Sequence, residues 1–213
     1  MSFAAPPSLN GQDDYSEEID MGKESGAFVR WHLTMSLDGF IAGPDHRMDW
    51  LETGVTLAPG VFEHAVETTG AILAGRRGYD AGVAQVGAGN TAKQAYGGAW
   101  NGPIFVLTHH PEDAVPEPGL TFLNCDIAEA VAIGLEAANG KALEIFGADL
   151  ARQCLERNLI DEFSVHLAPV MLGDGIRLYD VPGGKAVRWH RIHDGDPTEA
   201  IDLRFRPAPG QED

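Results

Sequence analysis

Cysteine, basic residues and long apolar runs are all scarce in this chain of 213 residues. Two cysteines, Cys125 and Cys154, are too few for a disulfide framework; buried reduced thiols are expected, each inside a helical segment. Only 15 Lys and Arg stand against 32 Asp and Glu, giving a formal net charge of −17. That balance disfavours general attraction to a nucleic-acid backbone or an anionic membrane, so neither is expected as a partner. No apolar run approaches the ~20 residues of a bilayer-crossing helix. The N-terminus also lacks the basic-then-apolar order of a secretory signal, so a cytoplasmic protein is the expectation. A 44% hydrophobic content still suffices for a substantial core.

The acidity is partly local. Residues 1–25 hold Asp13, Asp14, Glu17, Glu18, Asp20 and Glu24 against Lys23, without hydrophobic periodicity, and read as a solvated tail. One domain is expected over 26–207, with a short tail at 208–213.

Within that domain, "FVRWHLTMSL" (28–37) reads as a strand ending at the Asp38-Gly39 turn. "APGVFEHAVETTG" has helical spacing and is closed by Gly70, and "AILAG" is a short buried strand. Residues 81–101, rich in Gly and Ala, read as a long loop. "PIFVLTH" is another buried strand. Asp126 with Glu129 starts a helix as an acidic capping box, and Asn139-Gly140 stops it. "ALEIFG" is a strand, "ADLARQCLERN" a helix with Leu150, Cys154 and Leu155 on one face, and "EFSVHLAPVML" a long strand. "RWHRIH" and "AIDLRFRP" are expected to close the sheet as an antiparallel pair. Strands alternate with helices until about residue 160, which predicts an α/β domain with a mostly parallel sheet and an antiparallel C-terminal edge.

Two places suit an anion. Arg76 and Arg77 follow "AILAG" and are flanked by glycines, so a guanidinium can meet a phosphate bidentately where the backbone comes close. The same arginines can instead pair with surface carboxylates. The second place is Gly147, between a strand and a helix whose first N–H groups and dipole favour a pyrophosphate. Asp149 there either caps the helix or repels that phosphate. Both places lie at carboxyl ends of strands, where open α/β sheets keep ligands. The GxGxxG fingerprint and the P-loop are absent.

In order and spacing, "MSLDGFIAG", "DWL", "GRRGYD", "IFVLTHHP", "FGADLARQCLERNLIDEF" and "HLAPVMLGDGIRLY" resemble the dihydrofolate reductase superfamily. The chain looks most like the branch with the reductase domain of the riboflavin-biosynthesis deaminase/reductase, over about 27–206. The resemblance implies a dihydrofolate-reductase-like three-layer fold, helices on both faces of the sheet, and NADPH bound across the carboxyl ends of the strands. It implies that Arg76, after Gly75, grips the 2′-phosphate and Arg77 lies near the pyrophosphate. Thr108 and His109 would lie along the adenosine phosphate. Phe146, Gly147, Ala148, Asp149 and Leu150 would form the pyrophosphate turn, and Leu33, Ala42 and Gly43 the nicotinamide pocket. Relatives often form homodimers, with "SVHLAPVML" either as a contributor or as the central core strand.

Two departures bear on substrate. Gly78 stands where the family usually has threonine, removing a hydroxyl contact. No acid occupies the position near Pro59 where dihydrofolate reductases carry the pteridine-binding carboxylate, and Glu63 and Glu67 lie one and two turns further on. The resemblance therefore implies hydride transfer to a small heterocyclic or carbonyl substrate rather than to folate. A dihydrofolate reductase proper and a non-catalytic NADPH-binding module stay open as alternatives.

Hydride transfer needs a proton source and an oriented acceptor. Asp38, Asp49 and His64 are the candidate acids; Thr34, Ser36 and Trp50 are substrate-side candidates. Asp38 equally suits a plain Asp-Gly turn, and Asp49-Trp50 plain loop packing. No metal is expected: His109 and His110 would point apart in a strand, and His190 and His193 lack a ligand cluster. No GxSxG elbow appears. With no deaminase zinc motif, a bifunctional riboflavin enzyme is not expected on this chain.

Overall fold

The computed structural model describes residues 26–51, 60–86, 92–113, 115 and 117–189. Its strands are β1 (Phe28–Ser36), β2 (Phe40–Ala42), β3 (Thr69–Gly75), β4 (Ile104–Leu107), β5 (Leu120–Leu123), β6 (Ala142–Phe146), β7 (Glu162–Ala168) and β8 (Ile176–Arg177). Its helices are α1 (Val61–Thr68), α2 (Arg76–Val86), α3 (Ile127–Ala138) and α4 (Ala148–Glu156).

Six strands form one sheet in the order β5-β4-β3-β6-β1-β7, every neighbouring pair parallel. A separate antiparallel pair joins β2 to β8. The chain is thus an α/β protein, its central sheet covered on both faces. Side chains alternate between the faces of a strand, and a covered parallel sheet needs apolar residues on both. In β3, Ala71 and Leu73 join Leu143, Ile145, Ala130, Ala151 and Cys154 beneath α3 and α4. Ile72 points the other way, to Tyr79, Trp100, Ile104 and Val106 beneath α2. Ile72, Leu73, Leu143 and Ile145 are all 1% exposed or less, and each such side chain contributes roughly 1.5–3 kcal/mol by leaving water.

The caps of α3 follow the sequence. Asp126 accepts the Ala128 amide, and Asn139 ends the helix at φ +49°. Gly70 closes no helix: α1 passes directly into β3, and Gly70 lies in that strand. A Cβ there would sit 2.1 Å from the Ala138 carbonyl oxygen, so the residue is small because β3 crosses the end of α3 at backbone distance. The stretch after Tyr79 is not loop throughout, since α2 runs to Val86 and a 3₁₀ segment covers Ala92–Gly98. Cys125 stands just before the cap of α3 rather than inside a helix. Strand β7 stops at Ala168, ahead of Pro169, and is the end strand of the described sheet, not a central one. The expected closing antiparallel pair, Pro59, His190, His193 and both tails lie outside the described residues.

Candidate active site

The sheet order creates a crevice. β3 and β6 are paired neighbours, yet β3 leads through α2 towards β4 while β6 leads through α4 towards β7. Chains leaving adjacent strands in opposite directions, on opposite faces, open the crevice where such sheets bind ligands. The register Ala74↔Phe146 sets Gly75 beside Gly147. Above lies a cleft of about 1020 Å³ whose walls include Arg76, Arg77, Thr108, Phe146, Gly147, Thr34 and His32. Ligand pockets typically measure roughly 300–1,000 Å³, so the space suits an elongated molecule.

The predicted cofactor residues gather here. Leu33, Ala42, Gly75, Arg76, Arg77, Thr108, His109, Phe146, Gly147, Ala148, Asp149 and Leu150 all line the cleft, while Gly43 is buried behind it. Both arginines occupy the first turn of α2, a helix whose residues 81–86 had read as part of a long loop. Arg76 donates from Nε to Asp80 at 2.8 Å and from Nη1 to the His110 carbonyl at 3.1 Å. The guanidinium is thereby fixed against the loop after β4. Arg77 is exposed and forms no hydrogen bond or ion pair with another described residue. His109 and His110 follow β4 rather than belonging to it, and the Thr108 hydroxyl accepts the His110 amide at 3.1 Å.

Helix α4 starts at Gly147, at φ +105°, with no side chain capping it. Asp149 neither caps nor faces the crevice alone. Its carboxylate accepts from Arg152 at 2.8 Å and Gln153 at 2.9 Å, and the Arg152 bond holds it below the usual carboxylate range. The first amides of α4 therefore keep their donors for an incoming anion. By contrast α3, whose start also lines the cleft, is capped by Asp126, a carboxylate that Arg157 holds ionised. The anion-ready end of the cleft is accordingly at α2 and α4.

At the β1 end the candidates separate. Thr34 lines the cleft; Ser36, Asp38, Asp49, Trp50 and His64 do not. The buried Ser36 hydroxyl donates to Asp38 at 2.6 Å and accepts the Phe40 amide at 2.9 Å. Asp38 also accepts the Leu172 and Gly173 amides, at 3.1 and 2.7 Å. Burial pushes its pKa up, but these bonds outweigh it and leave the carboxyl below its ordinary value. Asp38 therefore ties the first turn to the 172–175 turn, with both carboxylate oxygens engaged. Asp49 is exposed and paired with Arg47, Trp50 is buried, and His64 is exposed on α1. Glu63 and Glu67 are exposed on the same helix and do not line the cleft.

Sequence reasoning missed a polar cluster beneath this end. Arg30 and Glu144 form an ion pair at 2.6 Å with side chains 6% and 0% exposed, and Arg30 also donates to Thr68 at 2.9 Å. Thr69 donates to Glu144 at 3.1 Å. His32 Nε2 meets His166 Nε2 at 2.6 Å, and His32 Nδ1 lies 3.4 Å from the Tyr96 hydroxyl. The signal was present: Arg30, His32, Thr34 and Ser36 put a polar residue at every second position of an otherwise apolar strand.

Burial, then His166 and Arg30, lowers the His32 pKa from 6.5 to about 4. Burial also lowers that of His166. Between those two His32 values the unfolded chain binds more protons than the folded one, so stability rises with pH across that window. The contribution is complete above the unfolded value and is lost as pH falls towards the folded one. Thermal unfolding should lose at most about 3 kcal/mol through this group on acidification. His32→Gln should flatten the slope, and a variant with the wild-type slope would assign it elsewhere.

Residues 27–194 match the RibD C-terminal domain family. The uncharacterized protein YwjB of Bacillus subtilis (strain 168) is 29% identical over 149 residues, covering 70% of this chain and 80% of YwjB. A solved Shewanella sp. PV-4 protein assigned to riboflavin biosynthesis superposes with a TM-score of 0.54 at 23% identity, over 73% of this chain and 84% of that one. A Thermotoga maritima diaminohydroxyphosphoribosylaminopyrimidine deaminase/5-amino-6-(5-phosphoribosylamino)uracil reductase gives 0.52 at 16% identity, over 81% of this chain but 54% of the larger protein. Among the described residues no helix is long and apolar enough to cross a membrane.

Proposed function

Because the chain belongs to the RibD C-terminal domain family, we propose that it is an NADPH-dependent reductase acting on a small heterocyclic or carbonyl compound. The observation that carries this reading is the placing of Arg76 beside the uncapped start of α4, across the crevice between β3 and β6. The donor set fits the coenzyme. Two guanidiniums and a free helix N-terminus offer charge-assisted bonds to three phosphates, while the β1 end, with Leu33, Ile41, Ala42, Met48 and Ile176, offers an apolar wall to a nicotinamide.

In this reading Arg76, pinned by Asp80 and the His110 carbonyl, holds the 2′-phosphate. Arg77 and the first amides of α4 hold the pyrophosphate. NADPH, when bound, supplies the hydride. The chain supplies orientation, a water-poor wall and a proton for the acceptor's heteroatom. Asp38 acts as a positioning residue that keeps the β1–β2 turn against residues 172–173.

The test is loss of reduced-coenzyme absorbance with dihydrofolate, a ribosylaminopyrimidine and simple carbonyl compounds, each supplied with NADPH or NADH. Turnover of a non-folate acceptor, faster with NADPH, is expected. Tight NADPH binding with no turnover on any acceptor would replace the reductase by a sensing module, and efficient turnover of dihydrofolate would make it a dihydrofolate reductase.

A further inference from the structure

Resting on the reductase reading, we infer that His32 and His166 form the proton relay of the site: His32 delivers a proton to the acceptor, and His166 replaces it from solvent. Reduction of a C=O or C=N bond adds a hydride at carbon and leaves the heteroatom one proton short. None of the sequence's acid candidates lines the cleft, since Asp38, Asp49 and His64 all lie away from it. His32 does line it. Its ring is half-buried on β1, and its Nε2 lies 2.6 Å from Nε2 of His166 on the end strand β7.

Two facing ring nitrogens bond only when one bears the proton and the other a lone pair, so the pair shares one proton across that contact. The step balances. The Nδ1–H bond of His32 breaks as the acceptor's X–H bond forms, with X oxygen or nitrogen. His32 Nε2 takes the proton of His166 Nε2, and His166, partly exposed, takes one from water at its other nitrogen.

The charged and titratable groups facing the pair suit this traffic. From β6, Glu144 Oε1, which also accepts from Arg30 and Thr69, lies 3.9 Å from His32 Nδ1. That carboxylate is placed to stabilise positive charge passing through the rings. Tyr96, from the 92–98 segment, places its hydroxyl 3.4 Å from the same nitrogen. Arg30, on β1, opposes the charge but is held by Glu144 and, at 3.9 Å, by Glu162 of β7. Burial lowers both imidazole pKa values, and His166 and Arg30 lower that of His32 further, so the pair rests neutral and gives up a transient proton readily.

The test has two arms. In the coenzyme-free full chain, ¹⁵N-histidine NMR should show the His32 and His166 Nε2 signals titrating together, with His166→Gln shifting the His32 midpoint. Two independent titrations would overturn the relay. With NADPH and the acceptor that turns over best, His32→Gln and His166→Ala should each lower kcat about 100-fold or more while NADPH affinity stays unchanged. Free imidazole should restore part of the rate in His166→Ala, which a merely structural role would not allow. Rates within about threefold of wild type for both variants would also overturn it. Failure of the wild-type chain to bind NADPH, read by tryptophan fluorescence, would instead remove the reductase reading on which the role rests.

Discussion

Arg76→Ala should weaken NADPH roughly 10- to 150-fold while leaving NADH nearly unchanged, because only NADPH carries the 2′-phosphate. The range follows from a charge-assisted hydrogen bond worth about 1.5–3 kcal/mol, with tenfold for each 1.4. Arg76 already serves Asp80 and the His110 carbonyl, which fixes its direction but shares its charge, so the effect should fall in the lower half of that range. Asp80→Ala makes a useful companion. It frees the guanidinium from its i,i+4 partner and should leave NADPH affinity within a few-fold of wild type. Arg77→Ala should weaken both coenzymes alike, since both carry the pyrophosphate. Tryptophan-fluorescence titrations measure all of these, and equal losses for NADPH and NADH in Arg76→Ala would contradict the assignment.

The second large effect concerns stability. Glu144→Ala leaves the Arg30 guanidinium, 6% exposed, without its carboxylate. Breaking a buried pair from one side costs about 3–5 kcal/mol. For a chain of this size each kcal/mol lowers Tm by roughly 2–4 °C, so a fall of about 6–20 °C is expected. Burial itself pushes the Glu144 pKa up against the pull of Arg30, which marks the pair as costly to desolvate. Replacing both partners together, Arg30→Met with Glu144→Leu, should therefore cost clearly less than Glu144→Ala alone. Calorimetry or thermal shift decides the matter, and a double variant less stable than the single one would show that the pair adds net stability.

The sequence was most readable where one residue has one local job. Asp126 and Asn139 bounded α3, and Gly147 marked the start of α4, because caps and positive-φ positions are decided within a turn of backbone. The cofactor residues were readable because resemblance carried them over one by one, and the fold brings all but Gly43 to a single cleft wall. What stayed hidden depends on partners far along the chain. Glu144 meets Arg30 from 114 residues away, and His166 meets His32 from 134. Asp38 looked like an acid or a turn residue. Only the amides of Leu172 and Gly173, 134 and 135 positions on, reveal which carboxylate oxygens are already taken. Helix α2 was missed because its glycines and alanines carry little apolar periodicity, and the helix is fixed by Tyr79 and Val83 packing on the sheet. Gly70 was misread as a helix stop because its reason for being small, the approach of Ala138, is a tertiary one.

The central claim is that one phosphorylated coenzyme bridges the start of α2 and the start of α4. Backbone amide NMR of the labelled chain, titrated with NADPH and then with 2′,5′-ADP as competitor, tests it most directly. Saturable shifts centred on Gly75–Gly78 and Gly147–Leu150, with those at Gly75–Gly78 kept when 2′,5′-ADP displaces NADPH, are the expected result. Shifts confined to any other part of the chain, or none at all at saturating NADPH, would contradict it.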